Sequence, residues 1–166
     1  MSRHVKHQDL VSRPVTGIMS SPAVAILGPA RLGSALAALT RSGLRHLAVV
    51  DERGRCVGVV ADRTIAAAWA ADPMALECVT VAAMLEPRPA VVGEDASVGE
   101  VARVMHTDGV DAVAVIDRGG RPIGLVTGGD LIALMARHIP AASETDEDLS
   151  RAVRDFGPYA EAEQDQ

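Results

Sequence analysis

The sequence predicts an α/β (α+β) protein of two pseudo-symmetric halves, each a small three-stranded sheet packed with two helices. Three observations predict it. First, short Val/Ile/Ala runs, Leu47–Val50, Cys56–Val60 and 112–116, are bounded by Asp- and Gly-containing turns, the signature of buried strands in hairpins. Second, these runs alternate with apolar-striped segments that end at glycine, the signature of helices. Third, the pattern occurs twice. A shift of 66 carries Gly33 onto Gly99, Gly43 onto Gly109, Asp51 onto Asp117, Gly54 onto Gly120, Gly58 onto Gly124 and Val60 onto Val126. Met19 and Pro22 fall onto Met84 and Pro87 at a shift of 65, so one residue has been inserted between the anchors. Turn glycines and buried strand residues recurring in register mark an internal repeat of one supersecondary unit.

Taken in order, each half reads strand, helix, strand, hairpin, strand, helix. Val15–Met19 is a short turn. Ala23–Ile26 is an extended run. Leu32–Thr40 is an amphipathic helix with Leu32, Ala35, Leu36 and Leu39 on one face, ended by Gly43. Leu47–Val50 and Cys56–Val60 form a hairpin around Asp51–Gly54, and Ile65–Ala71 is a second helix, apolar nearly all round, in which Trp69 is expected to pack. Asp72–Cys78 links the halves, with Pro73 stopping the preceding helix. Thr80 is expected to cap the turn Val81–Leu85 that opens the second half. The division that follows is an N-terminal segment 1–13, a first repeat 14–72, a linker with the second repeat 73–139, and an acidic tail 140–166.

Composition narrows the function classes. Apolar residues make up 48% of the chain but aromatics only 2%, so the core is aliphatic. The net charge of −6 resides in the tail, where Glu144, Asp146, Glu147, Asp148, Asp155, Glu161, Glu163 and Asp165 face only Arg151 and Arg154. The rest of the chain balances and shows no basic run, so no nucleic-acid partner is expected. No stretch of about 18 apolar residues exists, so no membrane span is expected. The N-terminus lacks the apolar core of a signal peptide, which makes cytoplasmic localisation the expectation. Cys56 and Cys78 have no metal-like spacing and read as free thiols or as one disulfide. His4 and His7 lack a third ligand. In the tail, Asp148–Phe156 reads as a short helix with Leu149, Val153 and Phe156 on one face, and the remainder as disordered.

The stretch with most chemistry is Gly124-Leu125-Val126-Thr127-Gly128-Gly129-Asp130, the end of a buried strand running into an apolar helix. Gly128 and Gly129 allow close approach to the backbone, a helix N-terminus attracts phosphate, Thr127 is a short hydrogen-bonding arm, and the Asp130 carboxylate suits vicinal hydroxyls. The competing structural reading is that Thr127 closes the turn and Asp130 caps a helix beginning at Leu131. No nucleophile–base pair, metal cluster or carboxylate dyad is visible, so no enzyme is expected.

These residues carry a family resemblance. Met19 with Pro22, Gly43–Asp51 and Gly58-Val59-Val60, and in the second copy Gly109–Asp117 and Gly124–Asp130, make the chain resemble a tandem pair of CBS domains, or Bateman module, over about residues 13–138. Ala48 and Ala114 stand where the family usually has Pro. Nothing outside the pair resembles an enzyme domain, so the resemblance implies a free-standing regulatory module. It further implies an adenosine-containing ligand in the cleft between the repeats, AMP, ADP or ATP first and S-adenosylmethionine second, with no cofactor required. Carried onto this chain, it gives Thr127 the phosphate and Asp130 the ribose, with Val126 and Gly128 beside them. Val91, Val92, Val113 and Ala114 become candidates for the adenine wall.

The first repeat departs from this pattern. Ala61 stands in place of the Thr and Thr64 in place of the Asp, so the site built on it is expected to be weak or empty. It keeps Arg45 and His46 where related modules place phosphate-binding groups, though both also read as strand-edge surface residues. The second repeat has Asp111 and Ala112 there, and a carboxylate repels polyphosphate. The apolar helices Ile65–Ala71 and Leu131–Ala136 want a cover on their outer faces, so a homodimer is expected, as is a protein partner that the sequence does not identify.

Overall fold

The computed structural model describes residues 10–139. The calls on His4, His7 and the tail beyond Ile139 lie outside them. Two sheets of identical topology, both within a compact unit that ends at Met135, make up the fold. In the first, β1 (Ala25–Leu27) pairs parallel with β2 (His46–Val50), which pairs antiparallel with β3 (Cys56–Ala61). The second repeats this with β4 (Val91–Gly93), β5 (Ala112–Ile116) and β6 (Pro122–Thr127). Even the irregularity recurs, between Val49 and Val50 and between Val115 and Ile116. Helix α1 (Leu32–Ser42) and α2 (Asp62–Ala71) belong to the first repeat, α3 (Ala75–Cys78) to the link, and α4 (Val98–Asp108) and α5 (Gly128–Ala136) to the second.

The hairpins show why the repeat is so regular. Gly54 and Gly120 sit at φ +77° and +80°, a conformation that L side chains rarely adopt. In the first hairpin, Asp51 Oδ1 accepts from the amides of Arg53 and Arg55, both at 2.9 Å. In the second, Asp117 Oδ1 accepts from those of Gly119 (2.8 Å) and Arg121 (2.9 Å). An Asx-type turn with a glycine at the left-handed position is thus written into each copy. Gly43 (φ +67°) and Gly109 (φ +66°) end α1 and α4 in the same way.

The cores cross the sequence boundary between repeats. The first contains Leu32, Leu47, Val49, Val60 and Ile65, and also Ala75 from the link and Val81 from beyond it. The second contains Val92, Val101, Val113, Val115 and Val126, and also Val15, with Ile18 and Met19 packed on it. Matching backbone bonds anchor the exchanged segments. Val15 N–H donates to Ala96 O (2.9 Å) and Val98 N–H to Arg13 O (2.8 Å), while Val81 N–H donates to Ala30 O (2.8 Å) and Leu32 N–H to Val79 O (3.0 Å). Each core therefore takes a segment from the other side of the 72/73 division expected from the sequence. The sheets meet where β3 runs beside β5 and β2 beside β6, and Cys56 N–H donates to Gly120 O at 2.8 Å.

Several local expectations are corrected. Helix α2 begins at Asp62 rather than Ile65, because Ala61 is extended (φ −105°, ψ 153°) and an acid in the first turn suits the positive end of the helix. Helix α5 begins at Gly128 rather than Leu131. The link contains the helical turn α3. Thr80 makes no side-chain cap, since the segment around it is held by backbone pairing with Arg31. Trp69 is 55% exposed, not packed. Cys56 and Cys78 are free thiols, and burial pushes the Cys56 thiol up from its ordinary pKa. Among the described residues, no helix is long and apolar enough to cross a membrane, and no cluster of metal-ligating side chains occurs.

Candidate ligand site

The predicted anchor residues sit at the β6–α5 junction. Thr127 ends β6, and Asp130 is the third residue of α5, not its cap. Asp130 Oδ2 accepts from the Thr127 amide (2.7 Å) and from the Thr127 hydroxyl (2.9 Å). This is half of a capping box, in which the acid inside the first turn reaches back to the residue before the helix. The complete version appears at α4. There, Ser97 Oγ accepts from Glu100 N (3.2 Å) and Glu100 Oε2 accepts from Ser97 N (2.7 Å), which holds the Glu100 pKa below its usual value. In both caps the hydroxyl donates to the acid, Ser97 Oγ to Glu100 Oε2 at 3.0 Å, but at α5 the Thr127 hydroxyl accepts no backbone amide among the described residues. Both residues are half-buried, and no bond to Asp130 Oδ1 occurs among the described residues. Gly128 donates to Asp111 O at 3.0 Å, continuing the β5–β6 ladder.

The expected adenine wall divides. Val91 is half-buried at the start of β4 and Val92 is buried. Val113 and Ala114, and Val126 beside Thr127, are wholly buried. Val113 and Val126 pack in the core of the second repeat, because consecutive residues of these strands are covered on both faces. Their side chains supply packing and have no free surface to offer a ring.

Arg45 and His46 part company. Arg45 Nε donates to Asp62 Oδ2 at 3.2 Å with its side chain 74% exposed. Burial works against the charge on Asp62, but hydrogen bonds from Arg45 and the Arg63 amide outweigh it and hold the Asp62 pKa below its ordinary value. His46 turns inward, its Nε2 3.2 Å from Asp111 Oδ1. Asp111 also accepts both arms of Arg63, Nη1 to Oδ2 at 2.7 Å and Nη2 to Oδ1 at 3.0 Å. This bidentate pair joins α2 of one repeat to the start of β5 of the other.

Beside it opens a cavity of about 660 Å³ between the repeats. Its floor is Gly58, Val59, Ala61 and Thr64 of the first repeat, and its opposite wall is Val110, Asp111 and Ala112 of the second. Met84, Leu85 and the Pro87–Ala90 segment close one side. Of the residues singled out from the sequence as ligand contacts, His46 alone lines it. Thr127 and Asp130 lie at the junction related to it by the repeat. Arg63 was missed by sequence reasoning. The available signal was that the 66-residue shift sets Arg63 against Gly129 and Asp111 against Arg45, an exchange of charge between copies.

The CBS domain family matches residues 15–71 and 81–137 of the chain. A CBS domain-containing protein of Dictyostelium discoideum is 27% identical over 132 residues, covering 74% of this chain and 91% of that protein. The solved CBS domain pair of protein MJ0100, in complex with 5′-methylthioadenosine and S-adenosyl-L-methionine, aligns with a TM-score of 0.66 at 27% identity, over 75% of this chain and 96% of that one. The cytosolic domain of the Mg2+ channel MgtE, in complex with ATP, aligns with a TM-score of 0.61 at 29% identity, over 74% of this chain and 49% of that one. The matched segments coincide with the two sheets and their helices, and the chain belongs to the CBS domain family, of which it carries two copies in tandem.

Proposed function

We propose that this protein is a non-enzymatic regulatory module that binds one adenosine-containing ligand between its repeats and signals its presence to a partner. The observation that carries the reading is the half-buried Thr127–Asp130 pair at the β6–α5 junction, and the cavity of about 660 Å³ at the junction related to it by the repeat leaves room for a small molecule between the two repeats. The likeness to domain pairs solved with S-adenosyl-L-methionine and with ATP supports the ligand class. AMP, ADP or ATP is the first candidate and S-adenosylmethionine the second. The anchoring groups are Thr127 for phosphate and Asp130 for the ribose, whose Oδ1 accepts no bond among the described residues. A ligand bridging the repeats shifts the population of their arrangements, which is what a partner reads. Equilibrium dialysis against AMP, ATP and S-adenosylmethionine tests this, and retention of none of them at millimolar concentration overturns it.

A second reading is a ligand-free dimerisation scaffold. It is favoured by the mutual satisfaction of Thr127 and Asp130 and by the uncovered apolar surface at Trp69 (55% exposed), Ile132 (68%) and Met135 (59%) on α2 and α5. Side chains of this size left in water on two helices call for a second copy as cover. Light scattering separates the possibilities: a dimer is expected, and Ile132→Glu is expected to yield monomer. A wild-type monomer at micromolar concentration removes the dimer from both readings.

A further inference from the structure

We propose that Asp111 is a specificity residue of the cavity on the first repeat: by occupying the fork of Arg63 it suppresses binding of phosphate groups, so that the cavity takes an uncharged or cationic nucleoside rather than a nucleotide. This rests on the adenosine-ligand reading and assigns a ligand class to the side where the sequence motif is degenerate. A guanidinium at a helix N-terminus is a natural phosphate ligand, because its planar fork matches two anionic oxygens. Arg63 is the second residue of α2 and faces this cavity. Both of its terminal nitrogens are taken by Asp111, at 2.7 and 3.0 Å, and His46 Nε2 lies 3.2 Å from the same carboxylate. The cation and the imidazole are thus both turned onto one half-exposed carboxylate. The remaining charges do not restore a phosphate site, since Arg88 is offset by Glu86 and Asp108 on the same lining. Ala61 supplies no hydroxyl where the other junction has Thr127. What is left is the Thr64 hydroxyl and an apolar wall at Met84, Leu85 and Val110, with the three carboxylates of Glu86, Asp108 and Asp111 against the two guanidinium groups of Arg63 and Arg88. That chemistry suits a purine nucleoside, neutral or bearing a positive charge.

The experiment is calorimetric titration of the full chain with inorganic tripolyphosphate and, separately, with adenosine. Asp111→Asn keeps the shape and removes the charge, while Asp111→Ala frees Arg63 and His46 completely. Tripolyphosphate affinity is expected to rise at least about 10-fold in Asp111→Ala, with a smaller rise in Asp111→Asn, and to fall back when Arg63→Gln is added, because a charge-assisted hydrogen bond is worth about that factor or more. Adenosine affinity is expected to change less than about threefold across the series, since adenosine carries no phosphate. The proposal is overturned if neither variant binds tripolyphosphate more tightly than wild type, or if the gain survives the loss of Arg63. If adenosine binds none of the proteins, the nucleoside class for this cavity is overturned, while the ligand reading above is decided separately by the dialysis against AMP, ATP and S-adenosylmethionine.

Discussion

The two strand-to-helix junctions, Ala61-Asp62-Arg63-Thr64 and Thr127-Gly128-Gly129-Asp130, occupy the same position in the same frame and do opposite things with charge. At both, a strand paired antiparallel to its neighbour runs directly into a helix, and the pairs His46–Ala61 and Ala112–Thr127 are in identical register. At the second junction the carboxylate folds back onto its own Thr127, and the glycines leave the helix end uncluttered. At the first, Asp62 turns to Arg45 and Arg63 reaches across to Asp111 of the other repeat. The comparison teaches that a duplicated backbone keeps its geometry through buried aliphatics and turn glycines. The four residues at each junction are then free to diverge, one towards a carboxylate held within its own helical turn and the other towards a link between repeats.

The comparison breaks most visibly if the cores are not exchanged. Val15 and Val81 are both fully buried, each in the core of the opposite repeat. Deleting residues 1–20 removes the fully buried Val15 and the half-buried Ile18 and Met19 from the second core, and a fully buried aliphatic side chain is worth about 1.5–3 kcal/mol. Since a domain has only about 5–15 kcal/mol in total, this deletion is expected to abolish cooperative unfolding by calorimetry. A truncated chain melting like wild type would mean that the repeats are independent after all.

The next largest effect separates the two junctions by ligand binding. Asp130→Ala is expected to weaken nucleotide binding about 10- to 150-fold, the loss of a charge-assisted hydrogen bond, while Thr64→Ala changes it little. Asp130→Asn discriminates further, because its amide oxygen still accepts from the Thr127 amide. It is expected to melt like wild type without ligand yet bind poorly. If calorimetry finds two equal sites per chain, the asymmetry carries no function.

A smaller effect is expected at the paired glycines in the strands. A Cβ on Gly124 meets Met19 Sδ at 2.5 Å and the Ser20 carbonyl at 3.0 Å, whereas one on Gly58 meets only the flexible tip of Leu85, at 2.9 Å. Gly124→Ala is therefore expected to cost about 1–3 kcal/mol as overpacking against backbone, and Gly58→Ala less. Equal losses in urea titrations would show that Ser20 yields as readily as Leu85.

The smallest effect is a pH dependence. Asp51, held by hydrogen bonds from the Arg55 and Arg53 amides against a little burial, Asp62 and Glu100 all have pKa values below their ordinary ones. A carboxylate depressed on folding contributes stability that is present above its unfolded pKa and is lost as the pH falls through its folded one. The melting temperature is thus expected to be flat near neutrality and to decline below about pH 4. Asp62→Asn should blunt the decline only slightly, since its partner Arg45 is largely exposed.

Much of the architecture was determined by the sequence alone, because it follows from interactions spanning a few residues. The alternating apolar runs set the strands, Gly43, Gly54, Gly109 and Gly120 set the turns and helix ends, and the 66-residue shift revealed the duplication. Thr127 and Asp130 were singled out from the sequence, but their tie to each other was not, although it lies within one helical turn. Tertiary structure decided the rest. Helices α2 and α5 start earlier than apolar periodicity indicates, because their first turns are polar or glycine and continue directly from the ends of β3 and β6. Val113, Ala114 and Val126 became core once both faces of their sheet were covered. The crossing of Val15 and Val81 into opposite cores, and the meeting of Arg63 with Asp111 across 48 positions, depend on how two sheets settle against each other. Pattern and propensity act along the chain, whereas a charge finds its partner only after the hydrophobic cores have fixed which surfaces face one another.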